Sequence, residues 1–142
     1  MAHRILLSLA VLLLLPAGAQ SAPKTEKECP IEDFSLEKIQ DAARDASSCD
    51  KSLEVFRLCG AGASSDVALG GIVTEKCEAE FLTRLRKRER RAYAREQQRC
   101  AGKFRHEAGT MYRSFEAFCG AALAGDYARR FARRKAASPA AQ

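Results

Sequence analysis

Apolar positions along the chain fall at steps of three and four rather than two, so helices are expected and strands are not. The first apolar run, Ile5 to Leu15, is an exception because it is continuous. After it, Ile39, Ala43 and Ala46 share one helical face. Ser35 is the expected N-cap, with Phe34 packing on Ile39 as a hydrophobic staple. Asp50 is expected to cap a second helix carrying Leu53, Val55, Phe56 and Leu58, which Gly60 ends. Gly60 to Asp66 reads as a loop. A longer helix is then expected, entered through Gly70-Gly71 and carrying Val73, Cys77, Phe81, Leu82 and Leu85. The most regular pattern comes last: Cys100, Phe104, Ala108, Met111, Phe115, Phe118 and Cys119.

The six cysteines change the reading of that last pattern. In one straight helix, Cys100 and Cys119 would lie about 28 Å apart. A disulfide needs Cα atoms about 5–6 Å apart. Gly109-Thr110 stands midway between them, so a turn there predicts an αα-hairpin closed by a Cys100–Cys119 bridge. One continuous helix, with each cysteine pairing elsewhere, is the alternative. The same logic favours Cys59–Cys77 across the Gly60–Gly71 connection and Cys29–Cys49 across the first helix. Cys49–Cys59 is rejected because it would join the two ends of one helix, about 15 Å. Zinc is disfavoured, since the chain has no C-x-x-C and His106 is the only histidine beyond the N-terminal run. No metal or cofactor is expected.

These features set the expected organisation and compartment. Arg4, the apolar run, Pro16 and Ala17-Gly18-Ala19 have the layout of a secretory signal over residues 1–19, with 22 as the alternative end. Eleven helical residues span only about 16 Å, short of a bilayer core, so no retained transmembrane segment is expected. An extended segment follows over 20–34, then an all-α, disulfide-bonded bundle of helical hairpins over 35–134, then a disordered tail over 135–142. Export to the periplasm or beyond would allow the cysteines to oxidise.

Charge divides the mature chain. Residues 23–80 carry 7 Lys and Arg against 13 Asp and Glu, and residues 81–142 carry 16 against 5. The densest basic run is Arg84, Arg86, Lys87, Arg88, Arg90 and Arg91, and Arg129, Arg130, Arg133, Arg134 and Lys135 follow near the C-terminus. An anion-binding surface is one reading of the run; a solvated helix face paired with the acidic half is the other. Nucleic acid is not expected, because no base-reading motif accompanies the charge. Tyr127 and Phe131 stand four apart and are expected to dock on the core while the neighbouring arginines stay wet.

Little points to catalysis. Glu107 and Glu116 would face each other across the hairpin, and His106 and Ser114 lie near, but no nucleophile elbow or phosphate loop presents them. A non-enzymatic protein is expected. The C-terminal half resembles the LprI-type lysozyme-inhibitor family of exported bacterial proteins. The residues that carry this are Gln97, Phe104-Arg105, Glu107 to Met111, Ala117-Phe118-Cys119, Leu123 and Tyr127-Ala128-Arg129, with Cys49-Asp50-Lys51 and Cys59 resembling the family's N-terminal cysteines. The family usually has a Trp after the Gln, and this chain has none. The resemblance implies a small helical, disulfide-bonded binding domain whose partner in some members is lysozyme. The expected function is therefore envelope protection by protein binding. The alternative is a structural or stress-related envelope protein that holds anionic polymer or lipid through its basic half.

Overall fold

The computed structural model describes residues 28–32 and 35–138. The expected signal and most of the N-terminal segment, including Phe34, lie outside the described residues, as do the last four residues of the tail. Among the described residues there are five α-helices and no strand: α1 (Leu36–Asp45), α2 (Cys49–Cys59), α3 (Ser65–Glu78), α4 (Lys87–Ala101) and α5 (Thr110–Ala137). A single 3₁₀ turn, Leu82–Arg84, stands between α3 and α4. The fold is thus all-α, as the periodicity predicts, with three disulfides between its segments. The last helix continues three residues past Arg134.

Local chemistry sets the helix ends. Ser35 caps α1 by accepting from the Lys38 N–H. The cap of α2 is Ser48 rather than Asp50: its hydroxyl accepts from Lys51 N, and the Glu80 carboxylate takes the next free donor, Cys49 N, at 2.7 Å. Gly62 has φ +72°, so the α2–α3 turn closes in a left-handed conformation that glycine adopts without strain. The expected long helix is shorter than its apolar pattern: α3 runs through Gly70-Gly71 and stops at Glu78, leaving Phe81 and Leu85 buried on the connection.

Packing explains Gly70 in α3 and Gly120 and Gly125 in α5, whereas Gly71 faces open space. These two helices form the most extensive interface of the molecule. A Cβ on Gly70 would stand 2.9 Å from the Ala117 Cβ, so the close approach of the two backbones requires glycine there. Ala117, Ala121, Ala124 and Ala128 carry the small-residue face of α5 against the core. Phe56 from α2 is fully buried and stacks on Phe118 of α5 at 3.9 Å between ring centroids. α1 packs on α2 and α3, whereas α4 packs on α5. The acidic and basic halves of the sequence are therefore separate layers joined through α3 and α5.

Two of the three expected bridges are corrected. The bonds are Cys29–Cys59, Cys49–Cys77 and Cys100–Cys119, with Cα separations of 4.9, 4.5 and 5.4 Å. The Cys100–Cys119 bridge and the turn at Gly109 (φ +119°) are as predicted. Cys59–Cys77 fails because α3 already begins at Ser65, so Cys77 lies at its far end. α2 and α3 are antiparallel, so the start of α2 meets the end of α3, giving Cys49–Cys77. Cys59, at the other end of α2, is left to hold Cys29 and the N-terminal segment.

Three disulfides fit an oxidising compartment, extracellular or periplasmic. No described helix is long and apolar enough to cross a membrane.

Candidate functional site

The basic run is broken up by the fold. Arg84 lies on the 3₁₀ turn with its guanidinium 5.6 Å from the Phe131 ring centroid. Arg86 occupies the N-cap position of α4, and Arg90 donates to the Leu85 carbonyl at 3.3 Å. Lys87, Arg88 and Arg91 sit exposed in the first turns of α4. Cations there oppose the helix dipole, whose N-terminal end is positive. Glu89 is the only acid in that first turn. The Arg86 backbone N–H and then the Arg134 guanidinium hold its carboxyl below the usual range.

A longer feature emerges when α4 is followed to its end. Arg88, Arg91, Arg95 and Arg99 are spaced three, four and four apart, so they form one stripe on the helix. Over eleven residues the stripe extends about 16 Å. All four are exposed, and none has an ion-pair partner among the described residues. The opposite face of α4 is fixed inward. Tyr93 is buried and donates to Glu78 at 2.7 Å, Gln97 donates to the Gly120 carbonyl at 3.1 Å, and Cys100 is held by its disulfide. Burial, and then the Glu78 carboxylate, pushes the Tyr93 phenol well above its usual range. These contacts orient α4 so that the four arginines of the stripe lie on its exposed side. Sequence reasoning found Arg88 and Arg91 but missed Arg95 and Arg99, although their helical spacing was visible.

The stripe ends in a hollow of about 550 Å³ lined by Arg95, Gln98, Arg99, Lys103, Arg105 and His106, with Gly102 at its edge. Arg105 Nε donates to His106 Nε2 at 3.0 Å. This end of α4 and the turns after it are pinned twice, by the Cys100–Cys119 bond and by Phe104 N donating to the Glu116 carboxylate at 3.2 Å. The helix dipole favours cations here, and four cationic side chains, Arg95, Arg99, Lys103 and Arg105, converge on one concavity.

The residues considered for catalysis are placed otherwise. Glu107 and His106 are exposed. Glu116 anchors the loop and pairs with Arg113 at 3.1 Å. Ser114 is fully buried and donates to Asp66, whose carboxylate also accepts from the backbone N–H groups of Ala61, Gly62 and Ala63. That cluster locks the α2–α3 turn to α5. A cleft of about 390 Å³ between α3, α4 and α5 includes Glu75, Glu78 and Glu116, of which the last two hold the structural hydrogen bonds already described.

No protein-family model matches the chain, and neither a curated protein nor a solved structure does.

Proposed function

We propose that this is an exported, non-enzymatic protein that holds phosphate-bearing anionic material of the periplasm or cell surface along the arginine stripe of α4. The observation that carries this is the unpaired alignment of Arg88, Arg91, Arg95 and Arg99, a stripe that begins in the first turns of α4, where cations are intrinsically unfavourable. In those turns Lys87, Arg88, Arg90 and Arg91 stand against a single acid, Glu89, a balance that helix stability alone does not favour. The stripe suits an extended polyanion, which contacts several guanidinium groups at once. Soluble long-chain polyphosphate tests this directly. Binding is expected to weaken steeply as salt rises, because surface charges are screened over about 8 Å at physiological ionic strength. Absent or salt-insensitive binding contradicts the proposal.

A second reading has its own observation. Glu28, Glu32, Glu37, Asp41 and Asp45 are exposed on the α1 side, away from α4. Such a surface complements a basic protein such as lysozyme, the partner that the family resemblance implies. Slowed peptidoglycan hydrolysis by lysozyme at equimolar protein would support it, and no slowing across several lysozyme classes would reject it.

A further inference from the structure

The tip of the α4–α5 hairpin breaks the rule that its own sequence pattern suggests. Met111 and Phe115 continue the most regular apolar series of the chain, yet they are 49% and 44% exposed. They stand four residues apart on α5, so they share one face. Phe115 belongs to a cluster with Phe104 and Tyr112, at centroid separations of 5.8 and 6.4 Å, and Phe104 and Tyr112 lie 5.5 Å apart. Residues 105–111 are all exposed, so this apolar group projects at the end of the hairpin. Lys103 lies over the Phe104 ring at 5.5 Å, and Lys103 and Arg105 also line the basic hollow. Aromatic and sulfur-bearing side chains thus sit beside a concave ring of cations.

We propose that this tip docks on an anionic lipid bilayer: Met111 and Phe115, backed by Phe104 and Tyr112, enter the boundary between headgroups and acyl chains while Arg99, Lys103 and Arg105 bind lipid phosphates. The occupant follows from the combination. An exposed apolar group alone would suit many partners. An apolar wedge rimmed by long basic side chains matches the interfacial region of a membrane, where the apolar part is buried and the charges remain with the headgroups. The Cys100–Cys119 bond and the Phe104–Glu116 hydrogen bond hold the tip in shape without a partner, so little ordering is required on docking. The proposal rests on the reading of α4 as a phosphate-binding surface and adds the bilayer as its target.

The chain contains no Trp, so a single introduced indole reports on the tip alone. Phe115→Trp and, separately, Met111→Trp are each titrated with vesicles of phosphatidylcholine containing phosphatidylglycerol. The expected result is a blue shift of emission, quenching by lipids brominated on the acyl chain, and neither effect with pure phosphatidylcholine vesicles. The double variant Met111→Ser, Phe115→Ser should lose about tenfold or more in vesicle affinity and keep its polyphosphate affinity. Polyphosphate binding without a blue shift in either reporter overturns the membrane tip and leaves the stripe standing. Loss of polyphosphate binding in the wild type removes the stripe, and the tip proposal falls with it. Unchanged vesicle affinity in the double Ser variant, with native unfolding temperature, also overturns the tip.

Discussion

The layer built from α1 to α3 and the hairpin of α4 and α5 solve different problems with similar parts. The first layer carries two bridges, Cys29–Cys59 and Cys49–Cys77, and packs Phe56, Leu69 and Val73 at 2% exposure or less, while Leu36 and Val67 remain exposed. Three of its acids have structural partners: Asp66 holds a turn, Glu80 caps α2 and Glu78 receives Tyr93. In the hairpin, α4 buries only Tyr93 and Cys100, and one bridge closes the hairpin. Its cations are mostly unpaired and its tip leaves Met111 and Phe115 in solvent. The first layer is held by two bridges and partnered carboxylates, whereas the hairpin tolerates charge repulsion along α4 and a clustered aromatic tip. That contrast is expected where local rules are broken for function.

If the contrast is real, changes in the first layer should cost stability and spare binding. The largest effect is expected for Phe56→Ala, which removes a fully buried ring and its stack on Phe118. A loss of about 4 kcal/mol is expected by chemical denaturation. Replacing Cys49 and Cys77 together with Ala should cost about 3.5 kcal/mol in the chain-entropy picture, with polyphosphate affinity retained by the protein that remains folded. Changes on α4 should do the reverse. Replacing Arg88, Arg91, Arg95 and Arg99 with Ala should leave the unfolding free energy within about 0.5 kcal/mol of wild type, or raise it slightly. A large destabilisation would show that the stripe is structural.

A smaller effect sharpens the join between the layers. The Tyr93 phenol is raised by burial and by Glu78, so the folded state holds that proton more tightly than the unfolded chain does. Its contribution is intact below the unfolded value of about 10 and is lost as pH rises beyond it. The unfolding temperature should therefore decline above about pH 10, and Tyr93→Phe should flatten that decline.

Much of this fold was legible because α4 and α5 announce their turn. Cys100 and Cys119 flank Gly109 nearly symmetrically, and two antiparallel helices bring equidistant residues level. The same symmetry relates Cys49 and Cys77 about Ala63, next to Gly62, but Gly70-Gly71 drew attention as the likelier break. Gly70 serves helix contact, not chain reversal, and Gly71 faces open space within the same helix; a single sequence does not distinguish these uses from a break. The small-residue face of α5 was similarly quiet: alanines and glycines register weakly as apolar, yet they make the closest interface. At the candidate site the error ran the other way. Met111 and Phe115 fit a core pattern and lie outside, because the hairpin extends past the body that would cover them. Clustering of charge along the sequence drew attention to Arg84 through Arg91, whereas helical geometry continues the surface to Arg99.

The central claim is that alignment, and not net charge, makes α4 the anion-binding surface. Two variants of equal net charge separate these: one replaces Arg88, Arg91, Arg95 and Arg99 with Ala, the other replaces Arg130, Arg133, Arg134 and Lys135. Titrated with polyphosphate at physiological salt, the α4 variant should bind about tenfold or more weakly than wild type, and the α5 variant within about threefold. Equal losses in the two variants would contradict the account.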